Sequence, residues 1–459
     1  MSPFPLPLTP FEHYMLVDDR PAYPMSPWFR LQFSGRFDQD RLTAALATAI
    51  ELNPLLNARV RGDVAGRTSG LDWVAADAPP PRISWEPESA PIDFPKGVHI
   101  DLNAEPGVRL WVREGPKSTR LLLQVHHACS DGLGVLQFLE TWLTLYRDAN
   151  SPDAIAALRR NFESGALAQR DQSKLGLAQQ VLRVYKDIIR VARFYRHRPT
   201  PLAAGHRQAP PTPTDYLGFQ SHGFSEIETD QIRIVSKQAG VCLNSLLLKA
   251  VFLALDQWNR EQPPGGRPIR IALPVTVRDS SPRMKPAFNG VSMAFIDREP
   301  AQLGDLPNLL AGIENEIEEA KKLRRALALP PILRLLGKFR RGLASQLGAE
   351  RCLASAIFSN VGTLFAGSPL LDKNHRLVVG AHVLEDFEGA PPLRPETRAG
   401  FAAFCYANRL KLTLNCDPHT MTAADCARIL LLCVEQVHAL CAAPRTATLP
   451  EPGEHCVAT

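Results

Sequence analysis

The chain has 459 residues, of which 45% are hydrophobic and 22% are charged, and its formal net charge is +5. These values are typical of a globular protein of about two or three domains, and they exclude a fibrous or wholly disordered chain. The charge is too small to make nucleic acid the expected partner. No uncharged apolar run approaches the roughly 18 residues that a membrane-spanning helix requires.

The first part of the chain alternates strand and helix patterns. Residues 28–34 have an apolar alternation of period two, Asp38 is a suitable helix N-cap, and Gly115-Pro116 separates two apolar runs. In chain order these patterns predict a half-buried strand at 28–34, a helix from Asp38 to Asn53, a hairpin of strands at 109–113 and 119–125, and an amphipathic helix at 134–147.

A proline-rich segment divides the chain. Residues 199–215 contain five prolines, which cannot sustain a helix or a central strand, so we predict a linker there. The second half predicts helices at 245–258, 305–327 and 423–440, and strands at 269–275, 291–296, 355–358, 377–384, 401–406 and 410–414. The predicted architecture is α/β, with an N-terminal lobe at 1–198, the linker at 199–215 and a C-terminal lobe at 216–459.

Positive charge is concentrated in two segments. Residues 173–198 carry seven basic side chains and one acid, and residues 320–341 carry eight basic side chains and no acid. A basic amphipathic helix can lie on an anionic membrane surface, whereas a charge run is more commonly a solvated face. We therefore keep two alternatives for these segments, peripheral membrane contact and a simple solvated surface.

The nine cysteines form no CxxC pair and their number is odd, which favours a reduced interior over a disulfide framework. Cys416 and His419 are three residues apart, but no second pair has the spacing of metal ligands, so we predict no metal site. The N-terminal residues are proline-rich without a basic run, unlike a secretory signal. Together these features predict a cytoplasmic protein, with peripheral contact at the inner membrane surface as the alternative.

Residues 121–132 carry the most informative pattern, in which a hydrophobic strand leads into His126 and His127, followed by Asp131 and Gly132. An imidazole at a strand end is held on rigid backbone, and its ordinary pKa of about 6.5 suits it to accept a proton at neutral pH. Asp131 is placed to orient a histidine or to pair with a distant cation, and Gly132 permits a tight turn. The alternative is a strand-end histidine satisfied by backbone hydrogen bonds, but the complete pattern favours a functional site.

The pattern H-H-x-x-x-D-G after a hydrophobic strand resembles the chloramphenicol-acetyltransferase-like superfamily. This superfamily includes nonribosomal-peptide condensation domains, alcohol acetyltransferases and wax ester synthase/diacylglycerol acyltransferases. Residues 7–12, 53–59, 273–278 and 359–362 are similar to other segments of the family. The D-F-G-W-G motif of the plant branch is missing, since residues 386–389 match it only in part, and this argues against a plant-type enzyme.

The resemblance implies two lobes, each a mixed β-sheet with flanking helices, and an active-site tunnel between them. It implies that His127 is the general base and that His126 stands beside it in the catalytic motif. It also implies that Asp131 pairs with Arg278, and that both of them, together with Gly132, have structural roles at the site.

Two further loops are candidates for the site. The resemblance makes Ser359 and Asn360 candidates for lining the tunnel or stabilising an oxyanion, although loop residues of this type more often form turns. Asn289-Gly290 is interpreted as a plain turn before a strand.

The predicted function is transfer of an acyl group from a thioester, with acyl-CoA as co-substrate and no cofactor, to an alcohol or amine, lipid-like acceptors included. One alternative is a stand-alone condensation-type domain that uses carrier-protein thioesters and forms amides. Another is a non-catalytic scaffold of the same fold. Serine-hydrolase, P-loop, zincin and dinucleotide-binding motifs are missing, so those classes have no support.

Overall fold

Two six-stranded sheets and the helices that cover them form the framework of the protein. The structure, a computed structural model, describes residues 3–64, 68–76, 81–94, 97–163, 165–171, 194, 196, 198–205, 219–262, 265–278, 284–322, 333, 336–339, 342–347 and 351–442. In chain order its strands are β1 (Leu6–Pro7), β2 (Trp28–Ser34), β3 (Ala58–Arg61), β4 (Asp72–Ala75), β5 (Ile83–Pro87), β6 (Val108–Glu114), β7 (Ser118–Val125), β8 (Gln220–Gly223), β9 (Ile269–Thr276), β10 (Val291–Arg298), β11 (Ala356–Thr363), β12 (Val378–Val379), β13 (His382–Gly389), β14 (Ala399–Tyr406) and β15 (Arg409–Cys416).

Helices cover the sheets and connect their strands. In chain order they are α1 (Pro10–Asp18), α2 (Gln39–Leu52), α3 (Gly132–Arg147), α4 (Pro152–Asn161), α5 (Glu226–Gln238), α6 (Leu243–Glu261), α7 (Pro300–Gly304), α8 (Leu306–Lys322), α9 (Gly342–Leu347) and α10 (Ala423–Ala442). Short 3-10 helices occupy Pro54–Asn57 and Thr68–Gly70.

Both large sheets are mixed, as predicted. The first has the strand order β12-β13-β2-β7-β6-β5, in which β5 and β6 run parallel and the other neighbours run antiparallel. The second has the order β10-β9-β11-β14-β15-β8, in which β11 runs parallel to both β9 and β14. A separate three-stranded sheet has the order β1-β4-β3.

Each large sheet has its own hydrophobic core. In the first core, Leu31 of β2 packs with Leu42 of α2 and Phe138 of α3, and all three side chains are fully buried. In the second core, Leu248 of α6 and Phe401 of β14 are likewise fully buried, and α10 covers the same sheet. Two cores of this kind confirm the predicted two-lobe α/β fold.

The elements that position the site follow local sequence rules. The Oδ1 atom of Asp38 accepts the Arg41 N–H at 2.8 Å, so this residue caps α2 as predicted. β6 and β7 form the predicted hairpin, and the Gly115 N–H donates to the Ser118 carbonyl at 2.9 Å across the turn.

The first sheet is completed by strands from the far end of the chain. The strand predicted at 377–384 is observed as β12 and β13, separated at Gly380, whose φ of 64° is left-handed. β13 pairs with β2, and its Leu384 and Phe387 join the first core. Residues 378–389 therefore belong to the first sheet, although the predicted boundaries place them in the C-terminal lobe. The pairing covers an edge of β2 that would otherwise expose unpaired backbone groups.

The first part of the predicted linker is packed onto the second lobe. Leu202 is fully buried in the second core. The Ala203 N–H donates to Asn259 Oδ1 at 2.8 Å, and the Trp258 Nε1–H donates to the Ala203 carbonyl at 3.0 Å. Residues 199–205 lie outside sheets and helices, as predicted for a proline-rich segment, but the apolar side chains of this segment still pack into the second core. Residues 206–215 of the predicted linker lie outside the described residues.

The two basic segments lie largely outside the described residues, and so does the end of the helix predicted at 305–327, which is observed as α8. Peripheral membrane contact through residues 173–198 and 320–341 therefore stays a prediction. Among the described residues, no single helix is long and apolar enough to cross a membrane. Taken together α5 and α6 have that length and composition, but the pair is bent by 101°.

Candidate active site

The histidine motif lies in the loop between β7 and α3. The apolar side chains of β7 are buried in the first core up to Val125, so the strand that leads into the motif is fixed by packing. Asp131 is the N-cap of α3, and its Oδ1 accepts the Gly134 N–H at 2.7 Å. The loop is therefore held by regular structure at both of its ends.

His127 is held from both lobes. Its side chain is half-buried, and its backbone N–H donates to the Met25 carbonyl at 2.7 Å. Asn289, from the second lobe, donates from Nδ2 to the His127 carbonyl oxygen at 2.8 Å, and the same Nδ2 lies 3.2 Å from the ring Nδ1. Within the described part of the chain, the ring Nε2 is left without a hydrogen-bond partner.

Burial lowers the pKa of His127 below its usual value of 6.5. A hydrogen bond between the ring and its own backbone carbonyl raises this pKa, as does the charge of Asp131, but both effects are smaller than that of burial. The neighbouring His126 lowers it further. The imidazole of His127 is therefore neutral at neutral pH and has one nitrogen that can accept a proton.

His126 is fully buried and binds a carboxylate. Its Nδ1 accepts the Ala128 N–H at 3.1 Å, and its Nε2 lies 3.3 Å from Asp19 Oδ2. The His99 Nε2 lies 2.5 Å from the same oxygen. Burial by itself raises the pKa of Asp19, but hydrogen bonds from the two histidines and the Met25 N–H outweigh it and hold the pKa well below its usual range. Because no part of His126 is exposed, this side chain has no surface to offer a substrate.

The ion pair that the resemblance implies is present. Arg278 Nη2 lies 2.8 Å from Asp131 Oδ1, and the two side chains are only 13% and 2% exposed. Asp131 Oδ2 accepts the Gly290 N–H at 2.7 Å. Arg278 Nη2 also donates to the Phe288 carbonyl at 2.6 Å, and the guanidinium lies over the Phe288 ring. Asp131 thus joins the start of α3 to the second lobe.

The close contact between the start of α3 and the second lobe requires a glycine at position 134 rather than at position 132. A Cβ at position 134 would lie 2.3 Å from Ser130 Oγ and 3.1 Å from the Phe288 carbonyl oxygen. Gly132 does not have a left-handed φ, and a Cβ there would meet no atom within 4 Å. Neither the backbone conformation nor the packing at position 132 therefore requires a glycine. The chain enters α3 through the Asp131 cap, and a side chain at 134 would clash with Ser130 Oγ and press against Arg278 and the Phe288 carbonyl.

Ser359 and Asn360 lie on β11 of the second sheet, and both are half-buried. The register of β11 against β14 shifts between Asn360 and Gly362, which marks a β-bulge. Asn360 Oδ1 accepts the Gly362 N–H at 2.9 Å, and its Nδ2 donates to Asn244 Oδ1 at 3.4 Å. Within the described residues these hydrogen bonds of Asn360 stay in the second lobe, so a role of this pair toward an oxyanion stays a prediction.

Asn289 is a site residue that the sequence interpretation misses. Asn289-Gly290 does precede β10, but both residues contact the histidine motif, one through its amide and the other through its N–H. The two predicted strands on either side of this turn could have indicated these contacts. β9 and β10 pair antiparallel with Thr276 opposite Val291, which brings Arg278 and Asn289 to the same end of the sheet.

Cys129 lies inside the motif, but it is fully buried, and burial raises the pKa of its thiol well above the usual value. Because the thiolate is the nucleophilic form, this cysteine is unreactive. His419, the partner in the weak Cys416 spacing, packs against the ring of Tyr23. Among the described residues, no group of three or more His, Cys, Asp or Glu side chains could hold a metal ion.

Sequence comparison finds relatives in Mycobacterium tuberculosis. The uncharacterised protein Rv2305 is 26% identical over 382 residues, which span 77% of this chain and 82% of that protein. The protein named "Putative diacylglycerol O-acyltransferase Rv3087" is 30% identical over 168 residues, which span 32% of this chain and 34% of that protein. No protein-family model matches the chain.

Solved structures are similar over almost the whole chain. The first condensation domain of the CDA synthetase has a TM-score of 0.68 and 15% identity, covering 97% of this chain and 98% of that domain. The starter condensation domain of rhizomide synthetase, in complex with C8-CoA, has a TM-score of 0.64 and 13% identity, covering 95% and 94%. The trichothecene 15-O-acetyltransferase of Fusarium sporotrichioides has a TM-score of 0.66 and 13% identity, covering 94% and 95%. The protein therefore has the two-lobe, chloramphenicol-acetyltransferase-like fold of condensation domains and acetyltransferases.

Proposed function

We propose that this protein is an acyltransferase that moves an acyl group from acyl-CoA to the hydroxyl or amine of an acceptor, with His127 as general base. The observation that carries the proposal is the state of His127. Its ring is half-buried at a strand end, is neutral because burial lowers its pKa, and keeps Nε2 free of partners among the described residues. A base of this kind needs a free nitrogen, a fixed position and a neutral resting state.

The proposed reaction is a single displacement at the thioester carbonyl. The acceptor O–H or N–H gives its proton to His127 Nε2 while the acceptor lone pair attacks the carbonyl carbon. The carbonyl π electrons move to oxygen, and a nearby donor stabilises the oxyanion. When the C=O bond re-forms, the C–S bond breaks and the thiolate takes the proton from the imidazolium. One proton passes from acceptor to CoA thiol, and His127 returns to its neutral form.

We propose that His126, Asp131 and Arg278 support this base without contacting the substrate. We assign His126 a positioning role, because it is buried on Asp19, whose other oxygen binds the Met25 N–H. Asp131 and Arg278 hold the lobes together beside the ring. A passage between the lobes that admits both substrates, with Ser359 and Asn360 along it, completes the proposal.

The comparisons support particular substrate classes. The rhizomide domain was solved with C8-CoA, which favours a CoA-borne acyl group. The relative named as a diacylglycerol acyltransferase and the 15-O-acetyltransferase structure favour an alcohol acceptor, a lipid-like one included. The CDA synthetase domain favours the second candidate, amide formation from a carrier-bound thioester.

The test is acyl transfer by the purified full chain. Acetyl-, octanoyl- and palmitoyl-CoA are each incubated with a panel of alcohols and amines, and free thiol and acylated product are measured. We expect acceptor-dependent thiol release that matches ester formation. The same acyl groups loaded on a phosphopantetheinylated carrier protein form a second arm, in which preferred amide formation would favour the condensation-type candidate. Absence of transfer from both donors would contradict the proposal and favour a non-catalytic scaffold.

A further inference from the structure

The amide of Asn289 has a fixed orientation. The side chain is 5% exposed, and its Oδ1 accepts the Val291 N–H at 3.3 Å. Because a backbone N–H requires an acceptor, this contact fixes the oxygen of the amide toward β10 and the Nδ2 toward His127. The assignment of the two amide ends therefore follows from the hydrogen-bond pattern.

The Nδ2 atom meets His127 at two places. It donates to the carbonyl oxygen at 2.8 Å and lies 3.2 Å from the ring Nδ1. The first contact is a hydrogen bond that holds the backbone of His127. At the second contact the amide NH2 group lies beside the δ side of the ring, where it faces Nδ1 as a second donor when Nδ1 carries the proton, and Nε2 is left on the other side. We infer that Asn289 is a positioning residue, which sets from the second lobe the ring orientation and the charge state of the base in the first lobe. The inference rests on the proposed role of His127 in acyl transfer.

The physical effect of Asn289 on the ring is electrostatic as well as steric. Its NH2 end carries partial positive charge, so at this distance it opposes the formation of an imidazolium. The other charged groups around the ring are already engaged. Asp131 is bound by Arg278 and Gly290, and His126 is bound by Asp19. A carboxylate has nearly the same shape as the amide, so Asn289→Asp would place an acceptor beside Nδ1 and reverse the sign of the contact with the ring, while it removes the donor to the His127 carbonyl oxygen.

The experiment is a histidine titration by NMR on the full chain labelled with ¹⁵N-histidine, with the His127 signals identified by their loss in His127→Gln. It compares the wild type with Asn289→Asp and Asn289→Ala. Asn374→Asp is the matched control, because it places the same substitution on an exposed turn. We expect the wild-type neutral ring to carry its proton on Nδ1. We expect Asn289→Asp to raise the proton affinity of His127 about tenfold or more, and Asn374→Asp to leave it unchanged.

Turnover provides the second readout. We expect Asn289→Ala to lower kcat about 10- to 100-fold with little change in KM for acyl-CoA, because misplacing a reacting group costs this much. We expect the acid limb of the Asn289→Asp profile to move to higher pH. If Asn289→Ala does not fold, the nearly isosteric Asn289→Asp decides the question alone.

The outcomes separate this inference from the proposed function. An unchanged His127 titration in Asn289→Asp, or an unchanged kcat in a folded Asn289→Ala, would overturn the role of Asn289. A raised proton affinity in a protein that transfers no acyl group would support the contact of Asn289 with the ring and contradict the proposed function, because the titration does not require turnover.

Discussion

At the scale of single residues, the chemistry of His127 is decided by its burial. Asp131 is four residues away in sequence, but its carboxylate is already engaged by Arg278 and by two backbone N–H groups. Its effect on the pKa of His127 is consequently smaller than that of burial. A base whose pKa is depressed in this way stays unprotonated below the pH at which a free histidine becomes charged.

The pH dependence of turnover follows from this depressed pKa. His127 must be neutral to accept a proton, so kcat/KM falls as the pH drops through the folded-state pKa, which lies below 6.5. We therefore expect the acid limb of the kcat/KM profile to have its midpoint below pH 6.5. Steady-state rates of thiol release across the pH range measure it. A midpoint above that value would show that another group, or a different environment of His127, controls the reaction.

The ion pair of Arg278 and Asp131 makes a prediction about stability. Removing the guanidinium in Arg278→Ala leaves a buried carboxylate without its charge partner, which costs about 3–5 kcal/mol in comparable pairs. We expect a loss of this size in the free energy of unfolding, measured by urea denaturation. Arg61→Ala is the control, because Arg61 is 65% exposed beside Asp72 and its loss should change stability by less than about 0.5 kcal/mol. A stable but inactive Arg278→Ala protein would instead indicate a catalytic role.

Sequence interpretation identifies only some of the residues that form the site around His127. His127 and the pairing of Asp131 with Arg278 follow from a motif and a family resemblance. Asn289 and Asp19 do not, because their contacts join residues 162 and 107 positions apart and depend on how the chain folds back. An asparagine before a glycine has the same local pattern whether it forms a turn or holds a catalytic ring.

At the scale of elements, the start of α3 is the most constrained point near the site. Gly134 lies against Ser130 and the Phe288 carbonyl, whereas Gly132 faces open space two residues earlier. We expect Gly134→Ala to lower stability by about 1–3 kcal/mol, because the added methyl displaces the Ser130 hydroxyl and presses against the Phe288 carbonyl. Gly132→Ala is its matched control and should be neutral or stabilising by about 0.5–1 kcal/mol through helix propensity. Thermal and urea unfolding of both variants measure the difference. Equal destabilisation would contradict the packing argument.

The strands and helices that periodicity predicts are observed, whereas the pairings of the strands could not be predicted. The hairpin of β6 and β7 and the helix α2 match their patterns, since their hydrogen bonds are local. β13 could not be assigned to the first sheet from its sequence, because its partner β2 lies about 350 residues earlier in the chain. The apolar alternation of a strand predicts which of its faces is buried, but it does not predict which sheet the strand joins.

At the scale of the whole molecule, β13 connects the two sheets. Glu388 is 5% exposed and lies 2.8 Å from Arg30 of β2 in the first sheet. In the second sheet it accepts a hydrogen bond from Ser221 of β8 at 2.7 Å and lies 3.4 Å from Lys411 of β15. The two lobes are thus joined by a strand that the C-terminal part of the chain contributes to the first sheet, and by the buried polar contacts of one carboxylate.

This connection predicts that the first lobe does not fold alone. A fragment of residues 1–198 lacks β12 and β13, so β2 has an open edge and part of the first core is missing. We expect the fragment to lack near-ultraviolet circular dichroism and dispersed amide resonances. Co-expression with residues 199–459 should restore both signals. A cooperatively folded, stable 1–198 fragment would show that the crossover strands are dispensable.

The proposed role of His127 as general base is tested most simply by the rate of acceptor-dependent thiol release from acyl-CoA in His127→Ala relative to the wild type. His438→Ala is the matched control, because His438 lies on α10 with its side chain 50% exposed. We predict that His127→Ala folds and loses about 10²- to 10⁴-fold in rate, the usual contribution of a general base, while His438→Ala keeps the wild-type rate. A folded His127→Ala protein with an undiminished rate of acyl transfer would show that His127 is not the general base.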